Sequence, residues 1–266
     1  VYNMGEIKTI NETDFIWMDG VPTDITKAIL YDCVGTDHLP AVVGASLIEK
    51  GQKPIGYISS KHVASSPHTI LTVGFTGWPV YRKNDTLIVE ILTPAHISEN
   101  PSEQKNAWLF NYPPARDIVQ CLYDLGVGEF LTLSSTAFDA KPSESVRVVN
   151  GEQLGTVGAP ETIQPLWGWL PAFMFTALNE VGAYILLMPA HGASHVQRPY
   201  EETAIENALD EIGKLGFDVE NAKERSKVLY DRASSEASEA MKMANEMITK
   251  MVAKTKKEPY SGGMFQ

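Results

Sequence analysis

The sequence predicts an α/β protein: a three-layer α/β/α sandwich around a mixed, mostly parallel sheet, with a long C-terminal helix. Three observations carry this. Short runs rich in β-branched residues alternate with segments of helical periodicity, the pattern of strands covered by crossover helices. The run 86–94, Thr-Leu-Ile-Val-Glu-Ile-Leu-Thr-Pro, is apolar on both alternating faces except at Glu90, as in a strand covered on both sides. From 219 to 257 there is no Gly or Pro, and Ala, Glu, Lys and Met dominate. The expected division is an α/β domain over 1–218, a helical extension over 219–258 and a flexible tail over 259–266.

In chain order, 15–19 reads as a first strand, closed by Gly20 and Pro22. Asp24 or Thr26 caps a short helical piece through Val34. Asp37 caps a second helix, which Pro40 enters near its first turn and Gly51 ends; its Ala41, Gly44, Ala45 and Ser46 suit close approach to a sheet. Strands follow at 55–59 and 70–75. Gly77-Trp78-Pro79 and Lys83-Asn84-Asp85 read as turns before the central strand. After a polar loop at 98–105, Pro113 and Pro114 start a helix with Ile118, Leu122 and Leu125 on one face and Gly126 as its stop. A strand at 129–133 leads to Ser134, Ser135 and Thr136. Strand 146–149 ends at the Asn150-Gly151 turn. An apolar helix over 170–181 precedes strand 184–188. An amphipathic helix over 199–216 shares Ala204, Ala208, Ile212 and Leu215 on one face and stops at Gly216.

Composition narrows the function classes. At 44% hydrophobic and 21% charged, the 266 residues are ordinary globular material. A net charge of −11 argues against nucleic acid as a partner, which needs a basic footprint. Cys33 and Cys121 form no Cys-x-x-Cys pair and read as buried thiols in a reducing compartment. The stretch 1–11 is polar, unlike a secretory leader, and the apolar stretch 166–190 is broken by Pro171, Asn179, Glu180 and Pro189. The expectation is a cytoplasmic protein without a membrane partner.

Catalytic signatures are missing: no phosphate-binding Gly-x-x-x-x-Gly-Lys-Ser/Thr, no Gly-x-Gly-x-x-Gly, and no Gly-x-Ser-x-Gly. His191 and His195 are four apart, but Pro189, Gly192 and Pro199 make their segment a loop, so no metal and no cofactor is expected. An enzyme reading places a crevice at the C-terminal ends of the strands, near Glu90, His96, Ser134 and His191. The extension carries a near-heptad seam, Leu229, Ala233, Ala237, Ala240, Ala244, Met247 and Met251, suited to packing on its own domain or to pairing with another helix or subunit. The tail joins Ser261-Gly262-Gly263 to Met264, Phe265 and Gln266, two large apolar side chains beside a terminal carboxylate.

The order of pieces resembles the proteasome assembly chaperone 2 family, including its archaeal homologues. The matching stretches are Asp19-Gly-Val-Pro22, Val42-Val-Gly-Ala-Ser-Leu-Ile-Glu-Lys-Gly51, Pro54-Ile-Gly-Tyr-Ile58 and Leu87-Ile-Val-Glu-Ile91. They continue with Ala115-Arg-Asp-Ile-Val-Gln-Cys-Leu-Tyr-Asp-Leu-Gly-Val127, residues 179–195 and Lys214-Leu-Gly-Phe-Asp218. The resemblance covers 14–218. It implies a fold similar to nucleoside phosphorylases and a role as a chaperone for the proteasome α ring. Some members end in a hydrophobic–Tyr–any-residue tripeptide that docks between α subunits. Here the tripeptide is Met264-Phe265-Gln266, with Phe in place of Tyr, and 141–169 looks like an insertion. The reading is therefore a non-enzymatic assembly chaperone or adaptor, docking on α-ring subunits through its tail and homo-oligomeric through the seam. The alternative is a hydrolase or phosphorylase-like enzyme.

Overall fold

The computed structural model describes residues 5–32, 39–60, 77–91, 101–136, 147–150, 182–189 and 198–255. These form β1 Ile7–Ile10, β2 Thr13–Trp17, β3 Lys27–Asp32, α1 Leu39–Leu47, β4 Gly56–Ser60, β5 Trp78–Lys83 and β6 Thr86–Ile91. There follow α2 Pro101–Asp124, β7 Glu129–Thr136, β8 Arg147–Asn150, β9 Gly182–Pro189, α3 Arg198–Lys214 and α4 Ala222–Thr255. The strands make one sheet in the order β1-β2-β4-β5-β6-β3-β7-β9-β8. The expected central strand, β6, is the middle one.

Both faces of this sheet are covered. Alternation along each strand sorts the core into two clusters. On one face Ala28, Leu30, Leu87, Val89 and Phe130 pack with Phe15, Trp17 and Ile58 under Ile118, Val119 and Leu122 of α2. On the other, Ile29, Tyr31, Ile88, Leu131 and Leu133 pack under Val43 and Leu47 of α1, Ala204, Ala208 and Ile212 of α3, and Ala222 and Tyr230 of α4. The α/β/α layering and the mixed sheet are thus as the sequence predicts. The parallel part is the middle: β6-β3, β3-β7 and β7-β9 are parallel. The other five pairings are antiparallel, so the sheet is less parallel than expected.

Five local expectations are corrected. The segment expected to be helical through Val34 contains β3, a strand buried on both faces, where helical and strand periodicities cannot be told apart. Gly77-Trp78-Pro79 is not a turn, since β5 starts at Trp78; Pro79 opposes Tyr57 near the strand start, where a missing N–H is tolerated. α2 begins at Pro101, so 101–105 is helix rather than loop and Pro113 and Pro114 lie inside it. Proline's fixed φ suits a helix, and its cost is the lost hydrogen bond and a clash that kinks rather than always stops the helix. The 129–133 strand runs on to Thr136 in register with β9. An edge strand, β1, precedes the expected first one and is half polar. The expected strand at 70–75 and helix at 170–181, with Asp37 and Cys33, lie outside the described residues.

Gly126 and Gly216 end α2 and α3 as expected, both with positive φ. In each, the glycine N–H donates three residues back and the next N–H five residues back, at 2.9 and 3.1 Å after α2 and 2.9 and 3.2 Å after α3. That is the paired Schellman closure of a helix C-terminus.

Candidate functional site

The parallel strands β3, β6, β7 and β9 bring their C-terminal ends to one edge of the sheet, where open α/β sheets bind ligands. Glu90 is half-buried on β6, opposite Tyr31 of β3. Tyr31 in turn pairs with Leu133, one residue before Ser134. Since β3 lies between β6 and β7, two strand spacings, roughly 10 Å, part Glu90 from the β7 row. His96, His191 and His195 lie outside the described residues. Among the described residues, Glu90 and Ser134 are not brought together, and no group of three His, Cys, Asp or Glu is placed to hold a metal ion. Cys121 is buried, and desolvation pushes its thiol up to about 12, so it is no nucleophile at neutral pH.

The other candidate is α4. Its first turns are fastened to the domain. Arg225 Nε donates to the Ser46 carbonyl at 2.6 Å, and its Nη2 to the Glu220 carbonyl at 3.0 Å. Tyr230 donates its hydroxyl to the Glu201 carboxylate of α3. Lys223–Asp210 and Lys227–Glu206 bridge α4 and α3 at 2.6 and 3.4 Å. The α3–α4 link is itself pinned: Lys27 Nζ donates to the Gly216 carbonyl at 2.7 Å, placing a cation at the C-terminus of α3, where the helix dipole favours it. Lys83 sits 3.1 Å from Asp218, whose carboxylate also accepts from the Glu220 N–H and the Asn84 amide.

Of the seam, Leu229 and Ala233 pack half-buried against the domain. Met247 is exposed, together with Met243 and Ile248 on the distal half. Ala237, Ala240, Ala244 and Met251 lie in α4 but outside the described side chains. Met264, Phe265 and Gln266 lie outside the described residues.

Sequence reasoning missed the group joining the two N-terminal strands to α2. Asp117 is 1% exposed and accepts from Thr13 Oγ1 at 3.0 Å, Asn11 Nδ2 at 2.7 Å and Arg116 Nη2 at 3.1 Å. The signal was a carboxylate on the helix stretch that carries Ala115, Ile118 and Val119. Among the described residues no helix is long and apolar enough to cross a membrane.

With this architecture in hand, no family model and no curated protein sequence matches the chain. Solved structures do. Pyrococcus furiosus PbaB, described as an archaeal proteasome activator, is 13% identical with a TM-score of 0.54, over 86% of this chain and 100% of that one. The fold is that of the archaeal proteasome-assembly chaperone homologues. Pyrococcus furiosus PbaA, described as such a homologue, has 16% identity and a TM-score of 0.52, over 86% and 99% of the two chains. A Thermoplasma acidophilum protein of unknown function gives 11% and 0.56, over 85% and 91%. The likeness spans nearly the full length of these chains and concerns the fold. It agrees with the family resemblance read from the order of sequence pieces.

Proposed function

We propose that this protein is a non-enzymatic assembly chaperone or adaptor that docks on a proteasome-type α ring through Met264, Phe265 and Gln266, and that it is homo-oligomeric through α4. The observation that carries the reading is the joint occurrence of this fold, shared with proteins described as a proteasome-assembly chaperone homologue and a proteasome activator, and a tail similar to a ring-docking tripeptide. The separation of Glu90 from Ser134 by β3 supports the non-enzymatic reading over the hydrolase or phosphorylase one.

The test is affinity for isolated α rings. Burying a Phe side chain contributes roughly 1.5–3 kcal/mol. Phe265→Ala therefore weakens each contact by about tenfold to a hundredfold. Phe265→Tyr is neutral or tighter. Equal affinity for wild type, Phe265→Ala and a chain lacking 264–266 would remove the docking reading.

A further inference from the structure

The domain ends before α4 does. Ala222, Ser226 and Tyr230 are buried against the body, whereas Met243, Met247 and Ile248 are 61%, 65% and 58% exposed, beside exposed Glu239, Lys242, Glu246 and Lys250. Large apolar side chains grouped on an otherwise charged helix mark a face that awaits cover.

We propose that this distal half pairs antiparallel with the same half of a second copy, about a two-fold axis near Ala244. The proposal rests on the oligomer reading above and fixes its geometry. With 3.6 residues per turn, positions 237, 240, 241, 244, 247, 248 and 251 fall within about 60° of position 244, so they form one stripe of Ala, Met and Ile.

Charge selects the direction. One flank of the stripe carries Glu236 toward one end and Lys250 and Lys254 toward the other; the opposite flank carries Ser238, Asn245 and Val252. In an antiparallel pair each flank meets its own counterpart, so Glu236 approaches Lys250 of the second copy. In a parallel pair each flank meets the uncharged one. The charge gradient thus complements this helix reversed, which names a second copy as the occupant. The two Thr255 ends then lie at opposite ends of the paired segment, on the order of 30 Å apart.

The experiment uses the full chain carrying Cys33→Ser, with the buried Cys121 retained. Ala237→Cys, Ala244→Cys and Met251→Cys are made separately and treated with a short bis-maleimide. Ala244→Cys links to itself. Ala237→Cys and Met251→Cys link to each other in a mixed pool several-fold more than either links alone. Glu236→Lys and Lys250→Glu each weaken association several-fold, and the double reversal restores it. Self-linking of Ala237→Cys and of Met251→Cys would overturn the antiparallel direction. A wild-type chain of monomer mass in light scattering, or no linking at any of the three positions, would overturn the pairing itself. Ring affinity of the chain lacking 264–266 is measured on the same background. Its loss beside failed linking removes the pairing alone, and its retention beside successful linking removes the docking alone.

Discussion

At the scale of single residues, two carboxylates do structural work for different reasons. Asp117 is buried and fully engaged, so its removal takes the charged acceptor from Thr13, which keeps Ser60 Oγ at 3.2 Å, and from the exposed Asn11. A hydrogen bond to a charged group contributes about 1.5–3 kcal/mol, so Asp117→Ala lowers unfolding free energy by about that amount. Denaturant titration reads it, and a change under half a kcal/mol, on the order of a surface substitution, would show that Asp117 is dispensable. Asp218 is more exposed, and its value lies in titration. The Glu220 N–H first, then the Lys83 ammonium and Asn84 amide, hold its carboxyl below the ordinary range. A depressed folded value means that the native state favours the ionised form. The stabilisation is therefore present above the unfolded value of about 3.9 and is lost as pH falls through the lower folded one. Asp218→Asn is expected to be less stable than wild type at neutral pH, with the gap closing in acid. Urea midpoints across that range test it, and a gap that stays constant with pH would contradict the assignment.

At the scale of elements, α1 shows how close packing is set by one missing atom. A Cβ on Gly44 would fall 2.2 Å from Cγ of the Tyr31 ring, so helix and strand meet where only glycine fits. Ala would raise helix propensity by up to about 1 kcal/mol. Overpacking of a filled core costs typically about 1–3 kcal/mol. Gly44→Ala is therefore expected to destabilise on balance, measured as a lowered thermal midpoint, and a raised midpoint would mean that Tyr31 moves aside freely. The same contact explains why the small residues of this helix were visible in sequence as a sheet-packing signal.

At the scale of the whole molecule, α4 is one helix with two environments. Arg225, Ser226 and Tyr230 hold its start to α1 and α3, while Met243, Met247 and Ile248 face outward. If the distal stripe joins subunits, Ala237→Glu with Ala244→Glu places charge inside that junction, a costly change for a buried position. The expected result is a lower mass in light scattering with far-ultraviolet circular dichroism kept. An unchanged mass would exclude the stripe as the subunit junction.

Some of this architecture needed no coordinates. The doubly apolar run of β6 declared a strand covered on both faces, and it is the middle of the sheet. Gly126 and Gly216 declared helix ends because the left-handed backbone there favours residues without a Cβ. The 3.6 periodicity of Ile118 and Leu122, and of Ala204, Ala208 and Ile212, declared buried helix faces. These are local consequences of sterics and burial, so local sequence contains them. β3 was misread because burial on both faces erases the alternation that distinguishes a strand, and only its neighbours β6 and β7 settle its state. The antiparallel flank of the sheet, the buried role of Asp117 and the division of α4 between a docked and an exposed half all depend on which distant segments meet. Thr13 and Asp117 stand 104 residues apart in the chain, and Ser46 and Arg225 stand 179 apart. No local pattern encodes such meetings, because their free energy exists only once the sheet has brought the partners within hydrogen-bonding reach.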